Sequence, residues 1–240
     1  VNFKNYPRLK QYRYSKLEKD SLAFADHLIV LNQEIKDYYT RFFEKDDKIS
    51  VIEQGFEFLP YKREGNNFSR NCSIKTPIKL LYAGHFYKEI REPFELYNAI
   101  SNSDLDVRLS VYGSFQPQFL PPKERRFFYG GRIPQDEVLK KYQEADVIIF
   151  IDNKNSHQVP GKTFEILSTN KPILCITDHT NSPSLAFLCK YKGIYYAENL
   201  SDKIQKAIYS IIKDDNFFWE RDVDQYSWPL LLERLNRIIV

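Results

Sequence analysis

The sequence predicts an α/β protein, in which a parallel β-sheet carries helices on both faces. Short apolar runs alternate with helical segments and are joined by brief polar connections, an order typical of parallel sheets. The run Val147–Ile151 is apolar at every position, which indicates a strand covered on both sides. Other runs end on Gly84, Gly113 and Gly130. These positions matter because ligands of such sheets bind beyond the carboxyl ends of the strands.

The predicted strands are short and rich in Val, Ile, Leu and aromatic residues. In chain order they lie at residues 27–31, 49–52, 78–84, 107–112, 127–129, 147–151, 172–176 and 194–196. Start signals mark some of the helices, such as Asn32 as an N-cap and Pro93 in a first turn. The end of a helix is predicted at residues 17–25, and further helices at 34–43, 92–100, 136–145, 162–169, 183–189, 202–213 and the end of 219–240.

Residues 60–77 are polar and rich in Asn, Arg and Lys, and they predict a linker between two parts of the chain. The preceding part covers residues 1–59, and a second strand–helix series begins at residue 78. The first residue is Val1 and the chain contains no Met. We therefore expect this chain to be a fragment of a longer protein.

The composition of the 240 residues, with 42% hydrophobic and 28% charged side chains, is that of a soluble globular protein. No apolar run approaches the ~20 residues of a membrane span, and a net charge of +3 is too small to indicate a nucleic-acid partner. The three cysteines, Cys72, Cys175 and Cys189, have no paired spacing, which favours a reducing cytoplasm. We expect Cys175 to be a small buried hydrophobic residue.

Several enzyme classes are disfavoured because their motifs are missing from the sequence. The four histidines have no metal-ligand spacing, so no metal site is predicted. The chain also lacks a G-x-S-x-G elbow, a phosphate-binding P-loop and a G-x-G-x-x-G turn. These absences disfavour a serine hydrolase, a P-loop NTPase and a dinucleotide oxidoreductase.

The first 20 residues are basic and contain interleaved aromatic side chains. The preferred interpretation is a solvated helix face. The alternative is a surface that meets an anionic membrane, as in peripheral enzymes. The cations are Lys4, Arg8, Lys10, Arg13, Lys16 and Lys19, and the aromatic residues are Phe3, Tyr6, Tyr12 and Tyr14.

The loop at residues 152–162 predicts a phosphate-binding corner. It leaves a buried strand and opens a helix, whose first backbone N–H groups are free and carry a positive dipole end. Gly161 lets the backbone approach a ligand and Lys162 adds a positive charge. Glu165, one turn later, could accept hydrogen bonds from ribose hydroxyls. The alternative is an ordinary helix start with an acidic first turn.

Two other strand ends carry candidate ligand contacts. Lys88 and Arg91 follow Gly84 and lie where a second phosphate contact could come from. Arg132 and Ile133 follow Gly130–Gly131, and their backbone groups could pair with the edge of a base. A solvated loop is the alternative interpretation of the first of these segments.

Taken together, the motifs resemble the C-terminal half of glycosyltransferases with the GT-B fold, in the group 1 family of nucleotide-sugar enzymes. The matching stretches occur in family order over nearly the whole chain. They are A-D-H-L-I-V-L at 25–31, K-I-S-V-I-E-Q-G-F at 48–56, L-L-Y-A-G-H-F at 80–86, Y-Q-E-A-D-V at 142–147, V-P-G-K-T-F-E at 159–165 with K-P-I-L at 171–174, and Y-S-W at 226–228.

The resemblance implies a Rossmann-like donor domain at residues 78–218 and a crossover helix within 219–240. Residues 1–59 would be the last elements of an acceptor domain. Glu165 would bind the ribose, Gly84 would let the phosphates approach, and Lys88 or Arg91 would be their cationic partner. The remaining implied contacts are Pro160, Gly161, Lys162 and Thr163 at the diphosphate, and Arg132 and Ile133 at the base.

Two positions depart from the family pattern. The family often has a glutamate eight positions before the ribose-binding one, but His157 stands here, beside Ser156 as the other candidate sugar-facing residue. The arginine expected after the first glycine is His85. The chemistry at the sugar is therefore open, and no catalytic residue is assigned.

The expected function is transfer of a sugar from a nucleotide-diphosphate sugar to a glycan or lipid-linked acceptor in polysaccharide biosynthesis. No cofactor is expected, the location is the cytoplasm or its membrane face, and this fragment should bind donor without transferring it. The alternatives are a sugar-nucleotide epimerase of the same architecture and a non-catalytic α/β interaction module. The resemblance suggests retention of configuration, but base, sugar and acceptor stay open.

Overall fold

A computed structural model describes residues 7–41, 48–56, 77–154 and 159–239. The chain divides into two compact units, one formed by Val1–Gln54 with Pro229–Val240 and the other by Gly55–Trp228. Except for residue 77, the predicted linker lies outside the described residues, and so does Cys72.

The first unit contains a small parallel sheet with two helices. Helix α1 spans Arg8–Phe24, strand β1 Leu28–Val30, helix α2 Gln33–Thr40 and strand β2 Ile49–Val51. Strands β1 and β2 pair in parallel. The predicted N-cap of α2 is confirmed, because the Asn32 side chain accepts a hydrogen bond of 2.8 Å from the backbone N–H of Ile35.

The second unit is an alternating series of strands and helices. Its elements are β3 (Ile78–Ala83), α3 (Phe94–Ser101), β4 (Val107–Tyr112), β5 (Phe127–Gly131), α4 (Gln135–Glu144), β6 (Val147–Ile151), α5 (Lys162–Leu167), β7 (Ile173–Thr177), α6 (Pro183–Leu188), β8 (Ile194–Glu198) and α7 (Ser201–Asp214). A last helix, α8 (Trp228–Ile239), follows. From Pro229 onward this helix belongs to the first unit, and its Arg234 donates hydrogen bonds of 2.9 Å to the Glu53 carboxylate and the Val51 carbonyl of the same unit.

In the described part of the second unit, six strands form one parallel sheet in the order β5-β4-β3-β6-β7-β8. In chain order, β4 and then β5 add to one side of β3. Strand β6 pairs with the other side of β3, and β7 and β8 follow it outward. The direction therefore reverses between β3 and β6. In doubly wound sheets a crevice opens at this switch point, beyond the carboxyl ends of the strands.

Both faces of the sheet are covered, which confirms the predicted architecture. Alternate strand residues such as Leu109 and Leu174 pack on one side with α3 and α7. Their neighbours, including Ile148 and Cys175, pack on the other side with α4, α5 and α6. Cys175 is completely buried, as expected, and burial raises the pKa of its thiol. None of the described helices is long and apolar enough to cross a membrane.

Some element boundaries differ from the predicted ones for local reasons. The helix predicted at 162–169 ends at Leu167, because the Ser168 and Thr169 hydroxyls bond to the preceding carbonyls of Glu165 and Ile166 at 2.7 Å. In the tail, a short 3-10 helix spans Asp224–Tyr226 and the α-helix begins at Trp228, which agrees with the helix predicted at the end of residues 219–240.

A buried arginine joins three segments at the amino-terminal ends of β7 and β8. Arg221 is 7% exposed. Its guanidinium donates to the carbonyls of Leu167 and Lys171, and to those of Lys192 and Gly193, at 2.7–3.4 Å. These are the last residue of α5 and the connections that enter β7 and β8. Arg221 therefore adds donors to these buried carbonyls. The Gly193 carbonyl also accepts from the Ile173 N–H at 2.9 Å, and the Leu167 carbonyl from the Asn170 N–H at 3.4 Å.

Candidate functional site

The carboxyl ends of β3, β4 and β5 form a row of glycines. The Gly84 N–H donates to the Tyr112 carbonyl at 3.0 Å, and the Gly113 N–H donates to the Gly131 carbonyl at 2.8 Å. Gly113 has a φ of +148°, and a Cβ there would overlap the Gly84 carbonyl oxygen. Only glycine is therefore tolerated at position 113. The row of glycines leaves a backbone edge without side chains, which a ligand can approach closely.

A cleft of about 610 Å³ opens above this edge. We call it the strand-end cleft. Its walls come from the ends of β3, β4 and β5, the start of α4 and the first turn of α5, and its volume suits a small-molecule ligand. It is lined by Ala83, Gly84, His85, Tyr112, Gly113, Arg132, Ile133, Pro134, Gln135, Val138, Lys162 and Glu165.

Two opposite charges face each other on the first turn of α5. Burial raises the pKa of Glu165, while the Lys162 charge and a hydrogen bond from Gln135 oppose that rise. The Gln135 Nε2 donates to the Glu165 carboxylate at 3.4 Å. Burial lowers the pKa of Lys162; the Glu165 charge opposes this and the Arg91 charge adds to it. Burial therefore makes the charged forms of both Lys162 and Glu165 less stable than they would be in water.

Lys162 has no hydrogen bond or ion pair with any residue that the structure describes. Helix α5 is only six residues long, so its dipole adds little and the ammonium group is the main positive charge. A partly desolvated cation without a paired carboxylate is a good site for an anion, because water screens the attraction less than at an open surface.

Side-chain packing and backbone hydrogen bonds fix the loop that follows β3. The Phe86 side chain is 4% exposed and stacks on Tyr82 with ring centres 4.5 Å apart. Farther along, the backbones of Tyr87 and Arg91 bond to each other twice at 2.9 Å. The Lys154 N–H donates to the Ile90 carbonyl at 2.8 Å. The loops that follow β3 and β6 are therefore linked at the switch point.

Arg91 and Lys88 have different environments within this loop. The Nε of Arg91 is buried without a hydrogen-bond partner in the described part of the chain, and its charge acts on Lys162. The Lys88 side chain is 75% exposed and pairs with Glu89 at 3.9 Å. Glu89 itself has a φ of +63°.

The structure brings together five of the predicted site residues: Gly84, Arg132, Ile133, Lys162 and Glu165 line the strand-end cleft. Arg91 is close enough to influence Lys162. The other predicted contacts, Lys88, Pro160, Gly161 and Thr163, are not among the lining residues. Thr163 is fully buried, and its hydroxyl has no partner among the described residues. Ser156 and His157 lie outside the described residues.

Sequence reasoning missed Gln135, which both lines the cleft and bonds to Glu165. A signal was present, since Gln135 is the first residue of a helix that follows the strand end at Gly131. Tyr112, Pro134 and Val138 were also missed as lining residues. In the described ranges, no cluster of three or more His, Cys, Asp or Glu side chains could hold a metal ion.

No family model and no curated protein matches the chain, but its fold is found in solved structures. Anabaena HepE in complex with UDP is 13% identical with a TM-score of 0.69, over 90% of this chain and 64% of that one. A glycosyltransferase from Rickettsia africae is 15% identical with a TM-score of 0.67, over 98% of this chain and 67% of that one.

The Methanocaldococcus jannaschii UDP-GlcNAc 2-epimerase, in complex with UDP-GlcNAc and UDP, is also similar. It is 16% identical with a TM-score of 0.53, over 89% of this chain and 60% of that one. At these identities the likeness concerns the fold alone, which is that of a Rossmann-like domain of GT-B proteins. The chain spans 60–67% of the length of these three structures.

Proposed function

We propose that this chain supplies the donor site of a glycosyltransferase that uses a nucleotide-diphosphate sugar. One observation carries the proposal: the strand-end cleft places an unpaired cation, Lys162, beside a carboxylate, Glu165, over a bare glycine edge. A nucleotide diphosphate presents the complementary groups, which are an anion, a ribose diol and a flat base. The GT-B fold adds support, because its topological switch point is where this cleft opens.

The diphosphate would lie against Lys162, with Arg91 as a second cation. Both side chains lack an ion pair in the described part of the chain, so an anion has no internal carboxylate to displace. The N–H groups of Gly84 and Gly113 already donate to strand carbonyls. The contribution of the glycines is therefore room for the phosphates, while the attraction comes from the side chains.

Glu165 would accept hydrogen bonds from the two ribose hydroxyls. A carboxylate has acceptor sites for both, and such charged hydrogen bonds favour the ionised form that burial disfavours here. Gln135 orients the same carboxylate from the start of α4. The base would lie toward Arg132 and Ile133, which also line the cleft.

In the transfer step, the bond between the anomeric carbon of the sugar and the diphosphate oxygen breaks, and a hydroxyl oxygen of the acceptor forms the new bond. Negative charge grows on the leaving diphosphate. Lys162 and Arg91 would stabilise this charge from fixed positions, which lowers the barrier more than mobile solvent does. The acceptor hydroxyl would give up its proton to an oxygen of the leaving diphosphate, and retention of configuration is an expectation from the family resemblance.

The acceptor would be a glycan or a lipid-linked glycan of a polysaccharide pathway, and the first unit would belong to the domain that binds it. On this proposal, the present chain binds donor but transfers nothing by itself. The enzyme would work in the cytoplasm, in part at the membrane face.

Helix α1 supports a peripheral membrane contact. Leu9, Leu17 and Phe24 are 72%, 60% and 88% exposed, and they share one side of the helix with Arg13 and Lys16 by their spacing. Exposed Leu and Phe side chains can enter a membrane surface, while neighbouring Arg and Lys side chains are attracted to its anionic headgroups. A solvated face remains the alternative.

The test is calorimetric titration of the chain with UDP, GDP and ADP, repeated with Glu165→Ala. We expect one diphosphate to bind selectively and the variant to bind it about 1.5–3 kcal/mol more weakly, the value of a hydrogen bond to a charged group. Glu137→Ala is the matched control, because Glu137 is an exposed carboxylate on α4 and does not line the cleft. Failure of all three nucleotides to bind contradicts the donor site, and equal affinity of wild type and Glu165→Ala removes Glu165 from it.

A sugar-nucleotide epimerase is the second candidate, because the Methanocaldococcus epimerase shares the fold. It requires an acid and a base near the sugar. Among the described lining residues Glu165 is the only carboxylate, which favours the transferase. Incubation of the enzyme with the sugar nucleotide alone separates the two, since an epimerase converts it to an isomer and a transferase requires an acceptor. A non-catalytic module would bind no nucleotide.

A further inference from the structure

A second cavity, of about 420 Å³, lies beside the amino-terminal halves of β3, β4 and β5 and the last turn of α4. We call it the cationic groove. Its residues come mainly from the starts of the strands, whereas the strand-end cleft is at their carboxyl ends. The groove is lined by Lys79, Leu80, Leu81, Arg108, Ser110, Tyr112, Arg125, Arg126, Phe127, Phe128, Lys141, Glu144 and Ala145.

The lining of the groove has five cationic side chains and one carboxylate. Lys141 pairs with that carboxylate, Glu144, at 2.8 Å. The Arg126 guanidinium is also engaged, donating to three backbone carbonyls at 2.7–3.1 Å. In the part of the chain that the structure describes, Lys79, Arg108 and Arg125 have no ion pair. The whole chain has a net charge of only +3, so the groove concentrates positive charge.

The strand register places two of the free cations side by side. Lys79 of β3 is directly opposite Arg108 of β4, and directly opposed like charges destabilise a sheet. The Asp146 carboxylate accepts a hydrogen bond of 2.8 Å from the Lys79 backbone N–H. An anion bound between Lys79 and Arg108 would relieve their repulsion.

An aromatic surface adjoins these cations. Phe128 of β5 is 56% exposed, and its ring meets that of Tyr112 at 62°, with centres 6.1 Å apart. Arg108 and Phe128 lie on the sheet face of Leu81 and Tyr112 by strand alternation, and both are exposed. This part of the face is open to solvent, and it combines a flat apolar surface with unpaired positive charge.

We propose that the cationic groove binds a small planar organic anion, with its phosphate, sulfonate or carboxylate between Lys79 and Arg108 and its flat body on Phe128. The volume accommodates a ligand of one or two rings. The aromatic surface selects a flat apolar body, because such rings pack against one another in offset or edge-to-face contact. This site is separate from the proposed donor site and does not depend on it.

The test is a fluorescence titration with anilinonaphthalene sulfonate, which joins aromatic rings to a fixed negative charge. We expect Arg108→Glu and Phe128→Ala each to weaken dye binding at least tenfold. Lys203→Glu makes the same charge change at an exposed position of α7 and should bind the dye like wild type. Excess UDP should leave the bound dye in place, and circular dichroism should show that each variant is folded.

Three outcomes would overturn the proposal. The first is equal dye affinity in Arg108→Glu and wild type. The second is displacement of the dye by UDP, which would place it in the strand-end cleft. The third is equally tight binding of uncharged phenylnaphthylamine, which would show that the groove selects only for apolar rings. Weakening of dye binding by added salt supports the proposal, because salt screens the attraction of exposed charges.

Discussion

Glu165 and Lys162 have opposite charges on one turn of α5, and burial disfavours the charged form of both. A bound ligand with complementary polar groups would therefore stabilise the charged forms of both side chains. Binding groups are often kept in this state, since perturbed pKa values concentrate at functional sites. Without a ligand, burial of the charged Glu165 carboxylate lowers the free energy of unfolding by an amount that depends on pH.

Glu165→Gln should stabilise the unliganded protein near pH 7. Burial raises the pKa of Glu165 in the folded state above its ordinary value, so the folded state favours the protonated carboxyl. The stability of wild type is then highest below the unfolded pKa and falls as the pH rises through the folded pKa. Glutamine removes this loss, so the unfolding midpoint of the variant should exceed that of wild type at pH 7 and approach it at pH 4.

Thermal unfolding at the two pH values measures the effect, with exposed Glu137→Gln as the control that should show no such pH dependence. A lower midpoint for Glu165→Gln at pH 7 would mean that the attraction to Lys162 outweighs burial. The same variant should bind nucleotide poorly, so stability and binding would change in opposite directions.

Gly113 and Gly131 offer a matched pair of glycine substitutions. Both have positive φ angles, but a Cβ at Gly113 would overlap the Gly84 carbonyl, while a Cβ at Gly131 would meet nothing within 4 Å. Gly113→Ala should reduce the free energy of unfolding by about 3 kcal/mol or more, since strain and overlap add. Gly131→Ala should lose about 1–2 kcal/mol from backbone conformation alone. Urea unfolding tests this, and equal losses would contradict the close contact.

At the scale of elements, strands and helices were predictable because their signals are local. Val107–Tyr112 and Val147–Ile151 were predicted with their observed bounds, since apolar runs between turn residues need no distant information. Helix α5 was predicted too long, because the bonding of the Ser168 and Thr169 hydroxyls to the backbone leaves no periodic signal.

The candidate site was predictable where its residues follow strand ends. Gly84, Arg132 and Glu165 were found in this way, and the parallel topology brings them to one cleft. Gln135 was missed because its bond to Glu165 joins two helices that are separate in sequence. Lys88 was predicted near the phosphates; its side chain is exposed, pairs with Glu89 and does not line the cleft, so its role stays a prediction.

The connections entering β7 and β8 depend on Arg221. Arg221→Met keeps the side-chain length but removes a donor from four carbonyls, of which those of Leu167 and Gly193 keep a backbone donor. The free energy of unfolding should fall by about 2–3 kcal/mol, because buried carbonyls that lose their donor are costly. Arg237→Met, at an exposed position of α8, should change it by no more than about 0.5 kcal/mol. Urea unfolding followed by circular dichroism compares the two, and similar losses would show that the four hydrogen bonds add little.

At the scale of the whole molecule, the second unit is a doubly wound sheet whose two cavities use different ends of the strands. The strand-end cleft has bare backbone and one unpaired cation on α5. The cationic groove uses side chains at the starts of the strands. Tyr112 lines both cavities, because β4 runs from one to the other.

The position of Arg221 near the end of the chain has a consequence for synthesis on the ribosome. The carbonyls of Leu167, Lys171, Lys192 and Gly193, to which it donates, all emerge before it does. Strands β7 and β8 can pair during translation. The connections that lead into them lack the hydrogen bonds from Arg221 until that residue is synthesised, more than twenty residues after Gly193. A nascent chain stalled before Arg221 would therefore hold an almost complete sheet with unsatisfied backbone at one end, a species that proteases and chaperones recognise.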